Sequence, residues 1–106
     1  MIRRMALSVA LLVATAGEIV PATAAEIEVT ITSFSFSPAQ VTVHAGDTIR
    51  WVNKDSVRHT ATALDKSFDV AIPANGQGTL VVKATGKLDY FCRFHAMMRG
   101  AIQVAQ

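Results

Sequence analysis

From Ile27 onward the chain alternates between apolar and polar positions. Ile27, Val29 and Ile31 are spaced by Glu28, Thr30 and Thr32, the period-two signature of a strand with one buried face. Phe34 and Phe36 repeat it before Pro38 ends the run, and Val41 and Val43 resume it. Ala45-Gly46-Asp47 predicts a turn into a strand over Thr48 to Asn53, where Ile49 and Trp51 share a face. Further strands are predicted over Thr60–Leu64, Thr79–Lys83, Lys87–Phe91 and Gly100–Val104, punctuated by Pro73-Ala74-Asn75-Gly76 and Thr85-Gly86. Seven to eight short strands in about 80 residues, with no helical periodicity, predict an all-β sandwich or small barrel. There is no internal repeat, low-complexity tract or linker to divide residues 26–106, so they are expected to form one domain.

Residues 1–25 follow another pattern. Arg3 and Arg4 precede an apolar run from Met5 to Ala16, and Pro21 is followed by the small-residue sequence Ala22-Thr23-Ala24. These are the three regions of an export signal, with cleavage expected near Ala24 or Ala25. The run is short for a bilayer span and is followed by Glu18 and Pro21, so no stable membrane insertion is expected after its removal. The mature domain then works in the periplasm. Without Arg3, Arg4 and Glu18, eight basic and seven acidic residues remain, a net charge of +1 that excludes a strongly basic nucleic-acid binder.

Export sharpens the meaning of the lone Cys92. With one cysteine no intramolecular disulfide can form, and an exposed thiol would be open to oxidation. A buried inert thiol, an intermolecular disulfide and a metal-held thiolate each account for it. A small β-sandwich without a disulfide also has little to staple it, and a metal bound only by the folded state would add stability.

Cys92-Arg93-Phe94-His95-Ala96-Met97-Met98 concentrates the candidate chemistry. Cys92, His95 and Met98 recur every third residue in a loop expected between two strands, and His59 lies just before another strand. Two imidazoles, a thiolate and a thioether suit copper in both oxidation states: nitrogen favours Cu(II), sulfur favours Cu(I). Zinc would accept the cysteine and histidines but rarely takes methionine. Met97 competes with Met98 for the thioether position. His44 is not expected to be a ligand. It precedes a strand that carries the chain about 20 Å at roughly 3.3 Å per residue, which puts it at the pole opposite His59 and the Cys92 loop.

Asp47–Asn53, His59-Thr60, Ser67-Phe68-Asp69 and Tyr90–Gly100 together resemble the cupredoxins, the blue type 1 copper proteins, over nearly all of the mature chain. The short Cys-x-x-His-x-x-Met loop is most similar to the amicyanin type. The resemblance implies a Greek-key β-sandwich, one copper per domain, His59, Cys92 and His95 as strong ligands, and Met98 as the weak axial ligand. Two positions depart from the pattern. Phe94 stands where such proteins usually carry proline, which bears on the loop's rigidity and surface. Thr60 stands where many carry an asparagine that ties the ligand loops together near the sulfur, and its hydroxyl is expected to supply part of that bonding.

The resulting function is a soluble one-electron carrier, with a copper-delivery module as the alternative. An enzyme is not expected: no group orients the Cys92–His95 pair as a nucleophile, and four metal ligands leave no position for substrate. A haem is not expected either, because Cys-x-x-Cys-His is absent. Redox proteins such as a c-type cytochrome, a dehydrogenase or an oxidase are the expected partners of a monomer. Val57, Phe94, Ala96 and Met97 are the candidate docking patch around the edge of His95.

Overall fold

The computed structural model describes residues 23–106, so the expected export signal falls outside the described residues except for Thr23, Ala24 and Ala25. The described residues form nine strands: β1 (Glu26–Thr32), β2 (Ser35–Ser37), β3 (Gln40–His44), β4 (Thr48–Asn53), β5 (His59–Ala63), β6 (Asp69–Ile72), β7 (Gln77–Val81), β8 (Gly86–Cys92) and β9 (His95–Ala105). One sheet has the order β2-β1-β4-β7 and the other β3-β9-β8-β5-β6. Both are mixed, with β1 parallel to β4 and β3 parallel to β9. Among the described residues no helix is long and apolar enough to cross a membrane.

The alternation read from the sequence becomes the core. Val29 and Ile31 of β1, Ile49 and Trp51 of β4, Val41 and Val43 of β3, and Ile102 and Val104 of β9 are all buried between the sheets. An aromatic cluster fills the middle. Tyr90 packs edge-on against Phe36 and Trp51, with ring centroids at 4.8 and 5.6 Å, a preferred geometry for aromatic pairs. The Trp51 indole N–H donates to the Tyr90 hydroxyl at 3.2 Å, which satisfies a polar group that could not otherwise be buried cheaply. Burial pushes the Tyr90 phenol up to about 12, so it stays neutral and the bond persists.

Two features correct the sequence reading. The count of seven to eight strands misses β6, a four-residue edge strand whose Val70, Ala71 and Ile72 run on without alternation, too short to show a period. The second difference concerns the expected loop from Cys92 to Arg99. β8 extends through Cys92 and β9 begins at His95, leaving Arg93-Phe94 as a two-residue turn. Phe91 pairs with Arg99 but Cys92 pairs with His95, so Ala96, Met97 and Met98 bulge out of the ladder. That bulge gives neighbouring methionines opposite fates: Met97 is 94% exposed and Met98 only 3%.

Candidate metal centre

Strand alternation places the first two donors. Ala61 and Ala63 of β5 are core residues, and His59, two positions earlier, shares their face. On β8, Tyr90 and Cys92 share the core face in the same way. The Arg93-Phe94 turn then returns the chain so that His95 lies opposite Cys92. The ligating atoms of His59, Cys92 and His95 all lie within 4.8 Å of one another. Cys92 Sγ is 3.7 Å from Nδ1 of each histidine. His59 and Cys92 are buried, His95 is partly exposed, and Met98 is buried in the same core cluster as Cys92. Two imidazole nitrogens and a sheltered sulfur facing one point, with the Met98 thioether buried in the same cluster, fit copper, which accepts the thioether that zinc rarely takes.

The surroundings fix these donors. The Thr60 backbone N–H donates to Cys92 Sγ at 3.4 Å, within the range for sulfur. The Thr60 hydroxyl accepts from the Arg93 N–H at 2.9 Å, tying β5 to the ligand turn as expected. Thr62 donates to Asp69 Oδ1 at 2.7 Å, so the 2.9 Å Thr60–Thr62 contact has Thr60 as its donor. Arg93 Nε reaches the same Asp69 oxygen at 3.2 Å. The Thr62 hydroxyl, and after it Arg93, hold the Asp69 carboxyl below its usual range.

On the other side of His59 stands Asp55, a residue the sequence reading did not single out. Its Oδ2 is 2.9 Å from His59 Nε2. The Phe34 N–H above all, with the His59 ring and the Ser33 N–H, holds this carboxyl below its usual range against the opposing effect of burial. Buried Asn53 shapes the segment: its amide donates to the carbonyls of Val57 and Pro73 at 2.8 and 3.0 Å, and its Oδ1 accepts from the Asp55 N–H at 2.9 Å. The sequence pattern places Phe34 in a strand, whereas the structure puts it in the turn between β1 and β2. It is 48% exposed and lies edge-on to His59 and His95, with centroids at 5.4 and 4.8 Å. No periodicity marks these residues, because they meet only when β1 pairs with β4 and brings Ile31 beside Asn53.

The docking candidates are all on the surface. Val57, Phe94 and Met97 are exposed large apolar residues and Ala96 is exposed beside them. The Arg58 guanidinium lies 4.3 Å from the Phe94 ring centroid and Arg93 5.5 Å from it, which brings the Val57-Arg58 segment to the ligand turn. His44 is remote, as expected. It pairs with Ala105 at the far end of the eleven-residue β9, about 30 Å from His95 at roughly 3.3 Å per residue.

Comparison with known proteins agrees with this geometry. No curated protein matches the chain. Among solved structures, amicyanin from Paracoccus versutus (Thiobacillus versutus) is 29% identical with a TM-score of 0.67, over 82% of this chain and 86% of that one. The reduced state of a proline-to-phenylalanine mutant of amicyanin is 24% identical with a TM-score of 0.66, over 76% of this chain and 82% of that one. An oxidised methionine-to-leucine mutant of amicyanin is 22% identical with a TM-score of 0.68, over 74% and 81%. The last two likenesses speak for the fold alone. His59, Cys92, His95 and Met98 have the arrangement of a copper site. The model of the cupredoxin-like domain matches residues 3–104, and with almost the whole sequence covered the chain belongs to the cupredoxin-like domain family.

Proposed function

We propose that the protein is a periplasmic type 1 copper protein that carries single electrons between redox partners. The observation that carries this reading is the gradient of burial across the donor cluster: Cys92 and His59 are sealed, while His95 reaches partial exposure. A sealed thiolate is protected from oxidation and exchange, and a ligand at the surface gives an electron a short path outward. Copper bound there supplies the one-electron couple. His59, Cys92 and His95 are its strong ligands, and Met98 rather than the exposed Met97 is its weak axial ligand.

Held donors suit this task. The Thr60 and Asp55 contacts tie both ends of the cluster to neighbouring elements, which limits rearrangement between oxidation states. Copper delivery would use the same ligands but needs donors that let go. The partner is a redox protein such as a c-type cytochrome, a dehydrogenase or an oxidase, and it meets a monomer at Val57, Phe94, Ala96 and Met97. Arg58 forms no ion pair among the described residues, so its guanidinium beside Phe94 favours a partner with carboxylates around an apolar contact. Export follows from the leader signature, with removal near Ala24 or Ala25.

The test is the addition of Cu(II) to the purified mature domain. An intense visible thiolate-to-copper band is expected, and Cys92→Ser should abolish it, because serine offers no thiolate or alkoxide at neutral pH. A weakly coloured wild-type adduct, or a blue Cys92→Ser protein, would overturn the assignment. Slow copper release to a chelator together with reversible voltammetry separates the carrier from a delivery protein.

A further inference from the structure

Asp55 makes more contacts than its place in an exposed loop requires. Oδ1 accepts the Ser33 N–H at 2.8 Å, and Oδ2 accepts the Phe34 N–H at 3.0 Å while also lying 2.9 Å from His59 Nε2. Ser33 and Phe34 have φ of 50° and 59°, two consecutive left-handed residues without a glycine. That backbone costs energy and aims both N–H groups into one concavity, a ready site for an anionic oxygen. Asp55 occupies it. The turn so held is the one that lays Phe34 against both histidines.

We infer that Asp55 is a positioning residue for the metal site, one carboxylate that fixes the His59 tautomer and anchors the Phe34 turn over the ligand histidines. An ionised carboxylate can only accept, so the His59 ring must place its proton on Nε2. Its Nδ1 lone pair is then directed at Cys92 Sγ, 3.7 Å away, ready for a metal between them. A carboxylate on the far nitrogen also raises the basicity of the ligating one and adds negative charge close to the site, both of which favour Cu(II). The inference rests on the reading of His59 as a ligand, but its central claim concerns the metal-free protein.

Long-range nitrogen–proton NMR of the metal-free wild type at mildly alkaline pH should show His59 almost wholly as the Nε2–H tautomer. A majority Nδ1–H tautomer would overturn the inference, whatever any variant does. Asp55→Asn replaces one accepting oxygen with a donating amide. It should move the ring toward Nδ1–H, weaken Cu(II) binding by about 10–100-fold in competition with a chelator, and raise the reduction potential. Asp55→Glu, which keeps the charge, should recover most of the affinity and the lower potential. Phe34→Leu should leave the tautomer intact, which separates the turn's cover from the carboxylate's hold on the ring. A folded Asp55→Asn protein with wild-type tautomer, affinity and potential would also refute the role. If the wild type binds no copper while its His59 is Nε2–H, the copper reading fails and the Asp55–His59 link stands.

Discussion

At the scale of single residues, Thr60 shows how a departure from a family pattern can preserve its physics. Its N–H donates to the sulfur and its hydroxyl receives the Arg93 N–H, so one residue touches the ligand and the turn that follows it. Thr60→Val keeps the shape and the backbone donor but leaves the Arg93 N–H and the Thr62 oxygen each short of a partner. The expected cost is about 1–3 kcal/mol, the range for a buried polar group left unsatisfied. It is measurable as a lower urea midpoint of the metal-free domain with an unchanged slope. Because Arg93 follows Cys92 directly, the variant should also lose copper to a chelator faster than the wild type. Unchanged stability and release would show that the bond is incidental.

The strands show what the sequence reveals and what it hides. β1, β3, β4 and most of β8 are legible because one face is buried and the side-chain period of two survives in the residue types. β5 is the opposite case: all five residues of His59–Ala63 are buried, so polarity says little about which face Thr60 or Thr62 occupies. The ligands are legible through chemistry, since cysteine, histidine and methionine at intervals of three have few other reasons to coincide in a chain with one thiol. The bulge that splits Met97 from Met98 is not legible, because it arises from register between β8 and β9. Gly100 belongs with it. It pairs with Tyr90, and a Cβ there would come within 2.2 to 2.7 Å of the Tyr90 ring and hydroxyl. The ring is locked between Phe36 and Trp51 and cannot easily retreat. Gly100→Ala should therefore destabilise the domain by about 1–3 kcal/mol, as overpacking does. A perturbed Trp51 near-UV signal should accompany it, because the Tyr90 bond is displaced. An alanine variant as stable as the wild type would show that the strands separate freely at this pair.

Over the whole molecule the sandwich has two differently equipped ends. The site end carries exposed Phe34, Val57, Phe94 and Met97 together with Arg58, and the +1 charge expected of the mature domain steers only weakly over distance, so under the proposed docking at Met97 short-range contact decides the encounter. Met97→Lys leaves every donor in place. With spectrum and potential unchanged, it should slow electron transfer to the physiological partner, and unaltered rates would place docking elsewhere.

The opposite end carries the structural closure, and its centre is Asp47. This buried carboxylate accepts the His44 N–H at 2.8 Å and the Ala25 N–H at 2.9 Å, joining the start of β1 to the turn between β3 and β4. The His44 N–H first, then the Ala25 N–H, holds its pKa below the ordinary carboxylate value of 3.8, with burial opposing. A pKa lower in the folded than in the unfolded state stabilises the fold at pH values above 3.8. That contribution is lost as the pH falls through the lowered folded value. Asp47→Asn should therefore lower the melting temperature near neutrality and narrow its gap to the wild type in strong acid. Cleavage after Ala24, one of the two positions proposed, would turn the Ala25 nitrogen into an ammonium facing Asp47, and a charge-assisted bond is stronger than a neutral one. A chain beginning at Ala25 should then melt higher than one beginning at Glu26, and Asp47→Asn should erase most of that difference. Equal melting temperatures for the two chains would separate the processing site from the stability of this end of the sandwich.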